Sequence, residues 1–143
     1  MTMSRAFAWM GVLVIPAALW AMLNSARNDL LYLTRSVASQ VRKAGDDPEA
    51  FSRFYIRLRF PDGNPDRQEA MFGRLWYALL DCEPEQVTYG DRSPIRAEDQ
   101  KTHAHGEVIM KGRSRRRDEP VTLSIHWIQY RGSWYIDDFD ESS

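Results

Sequence analysis

The chain has 143 residues, a formal net charge of −1 and a single cysteine, and 27% of its residues are charged. This length accommodates one folded unit behind an apolar N-terminal segment and leaves no comfortable space for a second domain. The near-zero charge excludes an overall field that would gather nucleic acid or acidic substrates, and the lone Cys82 excludes an intramolecular disulfide.

The N-terminal segment is apolar, since residues 6–26 contain no charged side chain. At about 1.5 Å per residue a helix over this range reaches about 32 Å, against about 30 Å for the hydrocarbon core of a bilayer. Trp9 and Trp20 lie near its two ends, where indole rings favour the headgroup layer. We therefore predict a membrane anchor over residues 1–27 that crosses the bilayer once through residues 6–26.

The competing interpretation of this segment is a cleaved signal peptide that begins at Arg5. Cleavage needs small residues at a fixed spacing, and the best match, Asn24-Ser25-Ala26, fits poorly. Retention in the membrane is therefore favoured. More basic residues follow the segment than precede it, which favours a cytoplasmic domain. Long polar domains also cross membranes, however, so the side of the domain stays open.

Helices are predicted next along the chain. Apolar residues at spacings of three and four indicate an amphipathic connecting helix over residues 28–44, ended by Gly45: Leu30, Leu33, Val37 and Val41. Two further helices start with an N-cap residue followed by proline: Asp47-Pro48 and Asn64-Pro65. The first of these is predicted to run to Leu58, and the second to end before Pro84.

Beyond Pro84 the hydrophobic period changes to two, which predicts strands. The predicted strands cover residues 87–89, 104–113, 121–131 and 134–139, with a long connection over 91–102. Helices followed by strands predict an α+β domain over residues 45–143. The predicted fold after the anchor is about three helices packed on one face of a curved antiparallel sheet of about four strands.

The last hairpin resembles a known superfamily. Gly132, Trp134, Ile136, Asp138 and Phe139 fit the pattern Gly-x-Trp-x-Ile-x-Asp-Phe, which often closes domains of the nuclear-transport-factor-2-like superfamily. The resemblance extends over about residues 42–140 and implies a cone in which helices cover a bent sheet. That superfamily includes membrane-tethered assembly components, isomerases, dehydratases and pure binding domains, so the fold alone does not choose a function.

Candidate catalytic residues are few. An isomerase or dehydratase of this superfamily needs an acid or base inside the cone, and His126 and Tyr130 are the best candidates, followed by Asp81 and Tyr55. No His–Asp pair is apparent, so an ordinary sheet-surface histidine is the favoured interpretation of His126. An enzyme is therefore the weaker expectation, and no cofactor is expected.

Two polar patterns suggest metal or lipid contacts. His103, His105 and Glu107 share a predicted strand face, but zinc would need further ligands, so no metal site is predicted. The densest positive patch lies at a predicted hairpin tip and consists of Lys111, Arg113, Arg115, Arg116 and Arg117. Its four arginines could contact lipid headgroups or other anions. No aromatic residues interleave with it, which argues against nucleic-acid binding.

Aromatic side chains crowd both faces of the last hairpin, and we predict that they bind a partner: Trp127, Tyr130, Trp134 and Tyr135. One face must serve the core, and the other can line a pocket or bury against a second copy. The predicted function is thus a membrane-tethered, non-catalytic binding or assembly module that acts through protein contacts, including a homodimer. The alternative is a small-molecule-binding or isomerase-like enzyme. A filled cone favours the module, and a deep cone with inward polar groups favours the enzyme.

Overall fold

The structure is a computed structural model that describes residues 29–90 and 104–142. The predicted anchor at residues 6–26, the connection over 91–102 and His103 lie outside the described residues. Within the described ranges, no helix is both long enough and apolar enough to span a bilayer.

The helices of the described residues form one layer: residues 29–44 (α1), Pro48–Leu58 (α2) and Pro65–Asp81 (α3). Both predicted N-caps are confirmed. The Asp47 side chain accepts a hydrogen bond from the Glu49 amide at 3.0 Å, and the Asn64 side chain accepts one from the Arg67 amide at 3.1 Å. Each cap satisfies an amide that the first helical turn leaves without a partner, which explains why both helices begin where the sequence predicts.

The strands form one antiparallel sheet in the order β1-β2-β3-β4: Cys82–Tyr89 (β1), His105–Ser114 (β2), Glu119–Tyr130 (β3) and Ser133–Ser142 (β4). The predicted α+β class, with three helices on a four-stranded antiparallel sheet, is confirmed. The start of β1 corrects the prediction, because the strand follows α3 at once and contains Pro84 at a register shift. Proline is tolerated there because β1 lies at the edge of the sheet.

The core lies between the helices and one face of the sheet. Trp127 of β3 and Leu30 and Val41 of α1 have no exposed surface and belong to one apolar cluster. The helix predicted as a connector outside the domain is therefore part of the folded unit. Leu30 and Val41 each contribute about 1.5 to 3 kcal/mol by burial, so these two side chains of α1 together supply a sizeable fraction of the net stability of about 5 to 15 kcal/mol that a domain has.

A buried hydrogen bond joins α1 to the sheet. Trp127 Nε1 donates to Thr34 Oγ1 at 3.0 Å, and the Thr34 hydroxyl donates to the Leu30 carbonyl at 2.8 Å. Neither Thr34 nor Trp127 has exposed surface. The indole thus fills the space between β3 and α1, and its polar atom has a partner there.

Candidate functional site

The aromatic residues of the β3–β4 hairpin divide between the two faces of the sheet. Trp127 lies in the core and Trp134 packs against it. Tyr130 and Tyr135 lie on the opposite face by strand alternation, with their ring centroids 6.5 Å apart. The prediction that all four bind a partner is corrected for Trp127, because a fully buried indole offers no surface to a ligand.

His126 belongs to a pair of polar side chains. Its Nε2 lies 3.1 Å from Oε2 of Glu107, its cross-strand neighbour on β2, and the side chains are 15% and 18% exposed. The two side chains are therefore within hydrogen-bond distance of each other across β2 and β3. The sequence did not reveal the pair, since it depends on the register between β2 and β3.

Asp137 lies beside this pair at an irregularity in β4. His126 is opposite Asp138 and Trp127 is opposite Ile136, which leaves Asp137 as an extra residue in the strand. Its Oδ1 is buried and has no hydrogen-bond partner among the described residues. Burial raises the pKa of the Asp137 carboxyl, while His126 and His105 oppose the rise and Asp138 adds to it.

A polar groove of about 340 Å³ runs along β4 beside this cluster. Its lining includes acidic, basic and amide side chains: Asn64, Arg67, Gln68, Arg74, His126, Asp137 and Asp138. Such a lining suits a small polar ligand that offers a hydrogen-bond donor to Asp137 and an anionic group to the arginines. His105 and Glu107 lie on β2 nearby, but the described residues contain no group of three or more metal-ligating side chains.

Asp81 and Tyr55, the weaker candidates, make structural contacts. The Asp81 carboxylate accepts hydrogen bonds from the Ser114 hydroxyl at 2.5 Å and from the Arg116 amide at 2.9 Å, which ties the end of α3 to the β2–β3 turn. The hydrogen bond from Ser114 is the main cause that lowers the pKa of Asp81, against a smaller opposing effect of burial. The Tyr55 hydroxyl donates to the Pro65 carbonyl at 3.3 Å.

The arginines of the β2–β3 turn are largely paired with carboxylates. The N···O distances are 2.9 Å for Arg113–Asp118, 3.6 Å for Arg116–Asp81, 3.2 Å for Arg117–Glu119 and 3.0 Å for Arg117–Glu141. These pairs reduce the positive field of the turn, and water and salt screen the exposed ones, so they add little to stability. Lipid contact through this turn stays a prediction, and Arg115 is the arginine there without an ion pair in the described ranges.

A second groove, of about 630 Å³, lies between α2 and α3 and was not predicted from the sequence. We call it the α2–α3 groove, and its lining combines aromatic rings with carboxylates: Asp46, Asp47, Pro48, Phe51, Glu69, Gly73, Trp76 and Tyr77. The spacing in α3 could have indicated this groove, because Glu69, Gly73 and Tyr77 recur every four residues and so share one helix face.

Trp76 positions the walls of the α2–α3 groove. Its ring contacts that of Phe51 edge to face, with centroids 5.5 Å apart and an interplanar angle of 89°. Its Nε1 donates to the Gly45 carbonyl at 3.2 Å, which holds the turn between α1 and α2 against α3. Trp76 is 6% exposed whereas its neighbour Tyr77 is 67% exposed, so the groove has a rigid wall and an accessible ring.

No protein-family model, curated protein or solved structure matches the chain. The resemblance to the nuclear-transport-factor-2-like superfamily therefore stays a proposal, and the function has to be argued from the side chains themselves.

Proposed function

We propose that this protein is a membrane-tethered, non-catalytic binding module that acts through protein contacts and is built on a nuclear-transport-factor-2-like cone. The observation that carries the proposal is the filled inner face of the sheet. Trp127, Phe72 and Leu75 have no exposed surface there. Enzymes of the resembled superfamily place an acid or base in that space, whereas here apolar side chains occupy it.

The outer surface is what remains for binding. Exposed large apolar side chains occur once on each helix: Tyr32 at 72%, Ile56 at 64% and Tyr77 at 67%. Single exposed side chains are ordinary on soluble proteins and need no explanation. Tyr77 differs because it borders a groove that other aromatic rings line, and aromatic residues are enriched where proteins meet.

The position of α1 supports a tether without a flexible linker. The predicted membrane crossing ends at residue 26 and the predicted anchor at residue 27. The described part of α1 begins at residue 29, and Leu30 is already fully buried in the core. A helix that is fixed to the core so close to the anchor would hold the domain at the bilayer surface. The partner would therefore be a protein at or in the same membrane, on whichever side the domain faces.

Photo-crosslinking in intact cells tests this function. A benzophenone amino acid at Tyr32, Ile56 or Tyr77 is expected to give discrete protein adducts in the membrane fraction from at least one position. The same residue at Glu85, an exposed position on the edge strand, serves as the control. A lack of protein adducts at every helical position, or a mature chain that begins near Arg27, would overturn the proposal.

A second function is favoured by the buried Oδ1 of Asp137, which has no partner within the described ranges. The groove along β4 would then bind a small polar ligand, with His126 as a neighbouring polar side chain in its lining. Screening small polar fragments by NMR should find ligands whose binding is lost in Asp137→Asn and kept in Asp140→Asn, a matched change on the same strand. Equal binding by both variants would remove this alternative.

A further inference from the structure

The base of the α2–α3 groove is a glycine in the middle of a helix. A Cβ at Gly73 would meet no atom within 4 Å, so packing does not require glycine at this position. Glycine in a helix interior is less favourable than alanine by about 1 kcal/mol. Its effect here is to leave the backbone of α3 open, so that a bound chain can approach it closely.

The walls of the groove suit a side chain with an apolar stem and a cationic end. Phe51, Trp76 and Tyr77 supply the rings, and Tyr77 is the accessible one. The methylene groups of lysine and arginine pack on such rings, and their charged ends are attracted to ring faces within about 6 Å.

The rim of the groove is acidic. Asp46, Asp47 and Glu69 supply carboxylates, and no basic side chain belongs to the lining. Asp47 is engaged as the N-cap of α2, whereas Asp46 and Glu69 have no ion pair or hydrogen bond through their side chains in the described part of the chain. The N-terminus of α2 adds only about half a positive charge, so the rim is negative.

The groove on the other side of Trp76 has the opposite sign. Gln40, Arg53 and Arg57 belong to its lining, which contains no carboxylate. The acidic lining of the α2–α3 groove is therefore not shared by the neighbouring groove of the helical layer, and it favours a cationic ligand.

We propose that the α2–α3 groove binds a lysine- or arginine-bearing segment of a partner protein. This inference rests on the proposed function and adds the site and the chemical class of the partner. The cationic side chain would lie along Tyr77 and Phe51 with its charged end between Asp46 and Glu69. The backbone of the segment would cross α3 at Gly73.

NMR titration of the full chain in a maltoside detergent tests the inference. The probes are a short Ala/Ser peptide that carries arginines, the same peptide with glutamates in their place, and phosphocholine. The arginine peptide is expected to shift the Gly73 amide and the Trp76 indole signals to saturation. The glutamate peptide and phosphocholine are expected to leave both signals unchanged.

Variants show whether the groove itself binds. The double substitution Asp46→Asn/Glu69→Gln should weaken binding of the arginine peptide roughly tenfold. The matched control Asp62→Asn/Glu85→Gln removes the same charge from exposed positions outside the groove and should leave the affinity unchanged. Gly73→Leu should abolish binding by filling the base. Gly73→Ala should raise the melting temperature, which shows that the helix tolerates a side chain there, and should weaken binding less than Gly73→Leu because its side chain is smaller.

Several results would overturn the inference. One is an equal loss of affinity for the arginine peptide in the double variant and in its control. The others are unchanged binding of the peptide by Gly73→Leu, and saturation by phosphocholine without a response to the arginine peptide. Signal shifts that follow self-association of the chain would also overturn it, because a second copy would then be the occupant. Crosslinks from Tyr32 or Ile56 without peptide binding would reject this groove and leave the proposed function standing, whereas no crosslinks at all would reject both.

Discussion

The buried hydrogen bond between Trp127 and Thr34 gives the sharpest stability prediction. Thr34→Val keeps the shape of the side chain but removes the acceptor, which leaves the indole N–H of Trp127 without a partner where no water reaches it. Leaving a buried donor unsatisfied costs about 1 to 3 kcal/mol. We expect Thr34→Val to lower the free energy of unfolding by about 2 kcal/mol, the middle of this range.

Thr34→Ser is the matched control because it keeps the hydroxyl and removes one buried methyl group. Its expected cost is about 1 kcal/mol, less than that of Thr34→Val. Urea unfolding of the full chain in maltoside micelles, followed by near-ultraviolet circular dichroism, measures both. With a slope of about 1 to 3 kcal/mol per molar urea, a loss of about 2 kcal/mol moves the midpoint by about 1 M.

A double-mutant cycle with Trp127→Phe isolates the hydrogen bond. In the Trp127→Phe background no indole N–H remains, so Thr34→Val should lose most of its effect, and the coupling should be about 1 kcal/mol or more. If Thr34→Val destabilises the chain equally in both backgrounds, or if Thr34→Ser is the more harmful change, the hydrogen bond does not join α1 to the sheet as argued.

Three further changes test other contacts by the same unfolding measurement. Gly112→Ala should destabilise the chain by about 1 to 3 kcal/mol, because its Cβ would overlap the carbonyl oxygen of Glu83. A stability equal to that of the parent chain would contradict this close approach. Asp137→Asn should stabilise the chain at neutral pH. Burial raises the pKa of Asp137 in the folded state above its unfolded value of 3.8. The contribution of the protonated carboxyl to stability is therefore fully present below pH 3.8 and is lost as the pH rises through the folded-state pKa. The gain in stability of Asp137→Asn over the parent chain should therefore vanish in acid. An equal gain at every pH would contradict a raised pKa of Asp137. Asp81→Asn should destabilise by about 1 to 2 kcal/mol at neutral pH through its hydrogen bonds to Ser114 and Arg116. The pKa of Asp81 is lowered from 3.8, so the contribution of this carboxylate to stability is present above pH 3.8 and is lost as the pH falls through the folded-state pKa. The parent chain and Asp81→Asn should therefore have equal stabilities in acid.

Features that depend on residues close together in the chain were predictable. Asp47 and Asn64 cap helices because a cap bonds to an amide within three residues, and Gly45 ends α1 with a φ of +62° that favours glycine. The alternation in β3 likewise gave the buried side of the sheet, since neighbouring side chains must point to opposite faces.

Features that depend on the meeting of distant segments were not predictable. The pair of His126 and Glu107 requires the register of β2 against β3, and the role of Asp81 requires that the end of α3 meets the β2–β3 turn. The α2–α3 groove requires the packing of two helices whose apolar stripes were identified only as core. The spacing of Glu69, Gly73 and Tyr77 can be read from the sequence. Whether these residues line a groove depends on the residues of α2 that pack beside them.

The side chain of Trp127, which fills the inner face of the sheet, also holds α1, the helix next to the predicted anchor. Trp127 fills the inner face of the sheet and donates to Thr34 of α1, so a pocket could open there only if the indole left both positions. Removing a buried tryptophan side chain costs about 3 to 5 kcal/mol, a large part of the net stability of about 5 to 15 kcal/mol that a domain has. Opening a pocket at this place would therefore remove much of the stability of the domain. The proposed binding is accordingly assigned to the outside of the helical layer, where the α2–α3 groove lies.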